Sequence, residues 1–298
     1  MQSALSKNKY NSTKTFVYPR LPAVYDFGFI RYRAPQGLGN LLFVAARAYL
    51  IAQSNGWNYI NPTWGNITFG TYLRNEKDKR HFFGLFKSKG ISGFLKLFYL
   101  LFSKEITLES AISGAEGKVV IEGLGNYFED LLCAQETVKE FVYSIMRSTI
   151  LSSFENIDFK NVIGVHVRLG DYTILQRGTS VSWYATIVNE IIKRHGGKYK
   201  FFVFSDGEDQ ELSELLLMPQ VKRVFFGNAL SDLIALSKCK LIIGSDSTFS
   251  GWSAFLEQVP VIFPKRHFRR VLVDAEKELV FNGDLGRLEA FINDQRIL

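Results

Sequence analysis

The sequence predicts an α/β protein, and three features of its second half carry that prediction. Short runs rich in valine, isoleucine and phenylalanine recur at Val162–Arg168, Lys200–Ser205, Val221–Phe226, Lys240–Gly244 and Val259–Phe263. Between them, Trp183–His195, Gly207–Leu217, Leu230–Lys238 and Phe249–Gln258 carry apolar residues at helical spacing. The apolar runs do not alternate strictly, as expected of strands covered on both faces by helices. Regular alternation of the two element types is the pattern of a parallel sheet built from βαβ units.

The first half is less regular. Val24–Tyr32 reads as a strand, and Pro35-Gln-Gly-Leu-Gly-Asn40 as the turn into a helix. That helix carries Leu41, Leu42, Val44, Ala45, Ala48, Tyr49, Ile51 and Ala52 at helical spacing, and Asn55-Gly56 ends it as a C-terminal cap. Residues 61–107 are rich in aromatics, glycines and lysines without a sustained period, as in a ligand-specific or membrane-facing insertion. The soft stretch near 152–161 divides the chain into expected domains of 1–158 and 159–298.

With 298 residues, the chain holds about two domains and needs no disulfide or metal staple. Apolar residues at 47% and charged residues at 22% exclude a disordered chain, a fibre and a disulfide scaffold. Cys133 and Cys239 stand alone, which excludes a zinc ribbon and a dithiol redox site and fits a reducing compartment. The net charge of +7 suits either anionic partners or simple solubility. The polar, basic first twenty residues contain no secretory leader, so the expected location is cytoplasmic. Ile91–Phe102 is the most hydrophobic stretch and too short to span a bilayer. Two readings stand for residues 81–104: an irregular subdomain, or a peripheral contact with the inner membrane face. No nucleic-acid-binding module surrounds them.

Four clusters could carry chemistry. Gly164-Val-His-Val-Arg-Leu-Gly-Asp171-Tyr172 runs off the carboxyl end of a strand, the edge where open α/β sheets bind ligands. His166 and Arg168 share one face of it, and an arginine placed there needs an anion. A bound phosphate would serve. So would Asp171, in a structural ion pair. Gly244-Ser-Asp-Ser-Thr-Phe-Ser-Gly-Trp252 follows another strand and opens a helix. Its Ser247, Thr248 and Ser250 form either an anion cradle or an ordinary cap. Gly37-Leu-Gly39-Asn40 lacks the third glycine of a dinucleotide fingerprint but permits close backbone approach to a ligand. Phe204-Ser-Asp206-Gly-Glu208-Asp209 is either a carboxylate cluster for a divalent cation or an acidic helix start.

Taken in order, Gly37-Leu-Gly-Asn40, His166-Val-Arg168-x-Gly-Asp171-Tyr172, Phe204-Ser-Asp206 and Ser245-Asp-Ser-Thr-Phe-Ser250-x-Trp252 resemble the α-1,2-fucosyltransferases of glycosyltransferase family 11. The likeness runs over about residues 28–265 and is weakest between 60 and 155. It implies a GT-B-like fold of two Rossmann-like domains, the carboxyl-terminal one binding GDP-β-L-fucose. It implies no cofactor, the partners being the donor sugar nucleotide and an oligosaccharide acceptor, free or lipid-linked; the absence of an Asp-x-Asp motif beside the basic cluster predicts that no metal is needed. Arg168 matches the arginine at the donor diphosphate, while His166 and Asp232 match positions at the guanine end. Ser247, Thr248 and Ser250 match the phosphate-binding hydroxyl loop, Asp206 the Phe-Ser-Asp motif, and Gly37, Gly39 and Asn40 the amino-terminal loop. Three residues depart from the family pattern: Leu169 stands for its second arginine, Gly207 for its second aspartate and Gly251 for its first tryptophan.

The expected reaction inverts the anomeric carbon. Arg168 and the 245–250 loop stabilise charge developing on the leaving diphosphate, and Asp171 either acts as general base or orients Arg168. Two alternatives stand beside this: a nucleotide- or glycan-binding module without turnover, and a transferase using another sugar nucleotide.

Overall fold

The computed structural model describes residues 14–34, 36–68, 81–169, 178–266 and 268–298. It opens on a strand that the sequence conceals. Thr15–Pro19 (β1) lies in a polar neighbourhood yet is buried along its whole length. It pairs in parallel with Asn58–Tyr59 (β4) on one side and Gly117–Ile121 (β7) on the other, and Glu105–Ile106 (β6) completes the sheet. The order is β4-β1-β7-β6.

The Val24–Tyr32 strand is corrected to a hairpin of two short strands, Tyr25–Asp26 (β2) and Arg31–Tyr32 (β3). Asn66–Ile67 (β5) joins them in parallel to β3. The physical reason is Asp26, whose Oδ1 accepts the Gly28 N–H at 2.8 Å and turns the chain at Gly28, with φ +82°.

Leu38–Asn55 (α1) is the long helix expected after the glycine turn, with ten buried positions along it. Gly56 ends it in the left-handed conformation, its N–H reaching back to the last carbonyls. Gly93–Phe102 (α2), Leu108–Ile112 (α3), Gln135–Ile145 (α4) and Ser148–Ser152 (α5) complete the first half.

The second sheet holds Val162–Val167 (β8), Lys200–Ser205 (β9), Val221–Arg223 (β10), Leu241–Ile243 (β11), Val261–Phe263 (β12) and Glu278–Val280 (β13). Its order is β10-β9-β8-β11-β12-β13, parallel throughout. Counted from β8, this is the doubly wound order 3-2-1-4-5-6, whose winding direction reverses between β8 and β11. Every residue of β8 is buried, as its unbroken apolar run requires. Val181–His195 (α6), Ser213–Leu216 (α7), Ala229–Ser237 (α8), Thr248–Glu257 (α9) and Leu285–Ile292 (α10) flank the sheet.

The expected Gly207–Leu217 helix shrinks to α7. The Gly207 carbonyl accepts from Arg223 and the Glu208 N–H donates to Glu211, so these groups are spent on a turn. The expected Val221–Phe226 strand ends at Arg223, and the Phe226 N–H bonds Asp232 instead of a neighbouring strand.

One apolar core runs through both sheets, from Val17 and Val119 in the first to Ile242 and Val261 in the second. α1, α4, α8 and α9 fill the space between. Gln135, at the start of α4, donates to the carbonyls of Phe255 and Leu256 at 3.0 Å each and ties down the end of α9. Each fully buried aliphatic side chain in such a core contributes about 1.5–3 kcal/mol.

Candidate active site

The carboxyl ends of β9, β8 and β11 lie side by side. His166 is in register with Phe204, Val167 with Ser205, and Ile243 with Val165. The residues that follow each strand therefore meet at the crevice where the sheet reverses, the position at which open α/β sheets bind ligands.

His166 is buried, and its Nδ1 faces the hydroxyls of Ser250 at 2.7 Å and Ser245 at 3.0 Å. Its ring stacks on Phe249 with centroids 4.7 Å apart. Burial holds its pKa down to about 4, with Asp206 pulling it up and Arg168 pushing it down. The ring is therefore neutral near pH 7. It knits the end of β8 to the loop that opens α9.

That loop is tied together from within. The Ser245 N–H donates to Ser250 Oγ at 3.0 Å, and the Ser245 and Ser247 hydroxyls lie 3.0 Å apart. Ser247 caps α9, its Oγ accepting the Ser250 N–H at 3.3 Å. Ser250 is fully buried, so it supports the loop from behind rather than lining its surface. Ser247 is also buried, whereas Thr248 is half-buried.

Among the described residues, Arg168 pairs with the carboxylate of Asp206, with Nη1 to Oδ2 at 2.7 Å. The other Asp206 oxygen accepts the Leu169 N–H at 2.9 Å. Asp206 thus holds the turn after β8 against the end of β9, while Arg168 keeps about a quarter of its side chain exposed at 24%. Asp171 lies outside the described residues. The acidic turn after Asp206 is absorbed internally, since Asp209 pairs with Arg223 and Glu211 accepts the Glu208 N–H. Among the described residues, no group of three or more His, Cys, Asp or Glu side chains is placed to hold a metal ion.

The amino-terminal turn reaches the same crevice across the core. Thr248 Oγ1 donates to Asn40 Oδ1 at 2.9 Å, and the buried Trp252 Nε1 donates to the Gly39 carbonyl at 2.7 Å. A Cβ on Gly39 would come within 2.6 Å of Thr248 Oγ1. Gly39 thus admits α9 rather than a ligand, whereas Gly37 faces open space. Gly37 precedes α1 without a capping side chain, and no acid occupies the first turn. The starts of α1 and α9 therefore meet, and each helix start favours negative charge.

Asp232 lies in the first turn of α8 and accepts the Phe226 N–H through Oδ1 at 2.7 Å. It does not cap that helix. Asn228 does, accepting the Ser231 N–H at 2.9 Å.

The three departures from the family pattern have local explanations. A Cβ on Gly207 would lie 2.5 Å from Leu169 Cδ1, so two of the altered positions are neighbours in space. A Cβ on Gly251 would lie 2.5 Å from the ring of Phe128, which is fully buried against Trp252 and Phe255. Phe128 occupies space that a tryptophan at 251 would need. Phe128 was not legible as site structure; Ser245, Phe249 and Trp252 were read as part of a motif, but not their supporting contacts. The density of hydroxyls in 245–250 was the one available signal.

A sheet-edge crevice with a partly exposed arginine, a hydroxyl loop and two converging helix starts can bind a phosphate-containing anion. Residues 121–263 match the family model of Glycosyl transferase family 11, which bears out the family read from the motifs; three of the four motifs lie in that segment. The fold is similar to fucosyltransferase NodZ from Bradyrhizobium, at TM-score 0.52 and 16% identity over 84% of this chain and 95% of that one. A NodZ α-1,6-fucosyltransferase soaked with GDP-fucose gives TM-score 0.51 and 17% identity over 83% and 93%. An Arabidopsis thaliana FUT1 mutant in complex with GDP gives TM-score 0.50 and 12% identity over 89% and 73%. No curated protein sequence matches the chain.

Proposed function

We propose that this protein is an inverting glycosyltransferase that moves L-fucose from GDP-β-L-fucose to a galactoside hydroxyl, forming an α-1,2 linkage in cell-surface glycan synthesis. One observation carries the reading: the starts of α1 and α9 are joined by the Thr248–Asn40 bond at the crevice that also holds Arg168. The family match supports glycosyl transfer. The shared fold supports a GT-B-like division of labour, with residues 1–158 on the acceptor side and 159–298 on the donor side.

In this reading the donor diphosphate lies against Arg168 and the N–H groups at the two helix starts. As the anomeric carbon leaves, negative charge grows on the β-phosphate and the sugar becomes oxocarbenium-like. A fixed guanidinium and aimed N–H donors stabilise that state more than the ground state. Asp206 is the positioning residue for Arg168, and neutral His166 is the positioning residue for the serine loop. Asp232 reads the guanine edge, because its carboxylate oxygens have lone pairs for N–H donors beyond the one with which Oδ1 accepts the Phe226 N–H. Asp171 serves as general base for the acceptor hydroxyl or orients Arg168. No metal takes part, since the arginine and helix starts supply the positive charge.

The test is turnover of GDP-fucose with a panel of galactosides, read as GDP release and product linkage with and without chelator. Arg168→Ala is expected to lower kcat/KM by about 100- to 1000-fold, the loss typical of one well-placed transition-state donor. Asp232→Ala should erase the preference for GDP over UDP while the diphosphate contacts persist. GDP binding without turnover on any acceptor would instead identify a binding module. Stabilisation by UDP equal to that by GDP would point to another donor.

A further inference from the structure

On the outer side of the first half, the usual order of polar and apolar residues is inverted. The one charged side chain of α2, Lys96, turns into the protein and is 4% exposed. Its Nζ donates to Thr63 Oγ1 at 2.9 Å and lies 5.5 Å from the centre of the Tyr18 ring. The outward residues are Phe94 (90% exposed), Leu95, Phe98, Leu101 and Phe102 (73% exposed). Their spacing puts them on one helix face.

The β2–β3 hairpin extends this face. Tyr25, Phe27 and Phe29 are each more than half exposed. Gly28 at the hairpin tip lies against α2 so closely that a Cβ would come within 2.6 Å of Leu97 Cδ2. Helix and hairpin therefore form one continuous apolar surface, of a kind that marks an interaction site when it stands on a protein exterior. A helix of ten residues is about 15 Å long, half the thickness of a bilayer core. It can lie in a membrane surface but not cross it.

Charge identifies the partner. Residues 81–104 contain four lysines and no aspartate or glutamate; Lys96 among them points inward, and the exposed Glu105 that follows is paired with Arg20 at 3.0 Å. Lys87 and Lys104 are exposed, six residues before and two residues after α2 in the chain. The one acid of the hairpin, Asp26, is turned inward to accept from the Tyr18 hydroxyl and the Gly28 N–H. An apolar face with exposed lysines near it, and whose neighbouring acids Asp26 and Glu105 are engaged by Tyr18 and Arg20, complements an anionic lipid surface. In a two-fold contact between copies, the same lysines would face one another.

We propose that α2 and the tip of the β2–β3 hairpin form a membrane-docking face, which lies in the headgroup layer of an anionic bilayer with α2 parallel to the membrane plane. Only residues 33–36 separate β3 from Gly37, so this face is joined directly to the turn that reaches the candidate active site. The proposal stands independently of which sugar is transferred.

The experiment is co-sedimentation of the full chain with phosphatidylcholine vesicles, with and without about 30% phosphatidylglycerol. The protein is expected to sediment with the anionic vesicles and to bind them at least about tenfold more weakly at ~1 M salt. Phe94→Asp with Leu101→Asp should weaken binding about a hundredfold at an unchanged melting temperature, because both side chains are exposed. Lys87→Glu with Lys104→Glu should cost about tenfold. The proposal is overturned if the wild type stays in the supernatant with anionic vesicles, or if the Phe94/Leu101 variant binds as the wild type does. It is equally overturned if the wild type ignores vesicles but self-associates in sedimentation velocity and the same variant becomes monomeric, which would make the face a contact between copies.

Discussion

The crevice between β8 and β11 and the scaffold beneath α2 bury polar groups in opposite ways. In the crevice, the fully enclosed group is His166, kept neutral with its pKa near 4 and surrounded by serine hydroxyls. The cation there, Arg168, stays partly in water against a carboxylate. Beneath α2 and the hairpin the enclosed groups are cations. Arg31 is fully buried and donates to the carbonyls of Pro22 and Trp64. Desolvation lowers its pKa to about 10 and that of Lys96 to about 8. The contrast separates two uses of polarity. Groups that meet a ligand keep a face toward water, whereas groups that brace backbone under an apolar exterior accept the cost of desolvation.

Acidification should expose the largest difference between the regions. The folded pKa of His166 lies below its unfolded value of 6.5, so the unfolded chain binds more protons between about pH 6.5 and 4. The stability linked to His166 is complete above pH 6.5 and falls as pH drops through that window, by roughly 3 kcal/mol in all. Denaturant titrations at pH 7.5, 5.5 and 4.5 measure it. His166→Asn should flatten this part of the profile, and an equally steep profile in that variant would remove His166 as its source.

Lys96 has the opposite expected outcome on mutation. Its folded pKa also lies below the unfolded value, so its stability deficit is present at pH 7 and is relieved as pH rises from about 8 toward 10.5. Lys96→Met keeps the side-chain length and removes the charge. It should raise stability at pH 7 by roughly 1–3 kcal/mol, as replacement of buried charges by packed apolar groups does. A lower melting temperature for Lys96→Met would mean that the bond to Thr63 outweighs desolvation, so that the two regions would not differ in this way.

The smallest effect sharpens the picture of the crevice. Gly207→Asp alone drives a side chain into Leu169, whereas Leu169→Arg with Gly207→Asp places opposite charges on two neighbouring positions. The double variant should be more stable than the sum of the single changes by about 1 kcal/mol, a coupling expected of residues in contact. Strict additivity, measured by a double-mutant cycle in urea, would show that the two positions do not sense one another.

Much of the second half was legible because strand and helix patterns are local. The runs at β8, β9, β11 and β12 identify themselves by unbroken apolar stretches. Their carboxyl ends could be read as the ligand edge without knowing which strands are neighbours. β1 escaped notice because a five-residue strand in a polar neighbourhood has no period to read, and its burial comes from β4 and β7 on either side. The hairpin at Asp26 was hidden for a related reason, since one side-chain bond to Gly28 overrides a run that otherwise looks extended.

By itself the sequence determined the fold class, the order of the four motifs and the residue types available at the site. Tertiary structure alone decided the partners: Asp206 for Arg168, the hydroxyls of Ser245 and Ser250 for His166, and Asn40 for Thr248 across 208 positions of the chain. It also decided that Lys96 faces inward while its aromatic neighbours face out. The physical reason is range. Propensity and periodicity act over a few residues, whereas partner choice follows from strand order in the sheet and from which helix ends the shared core brings together.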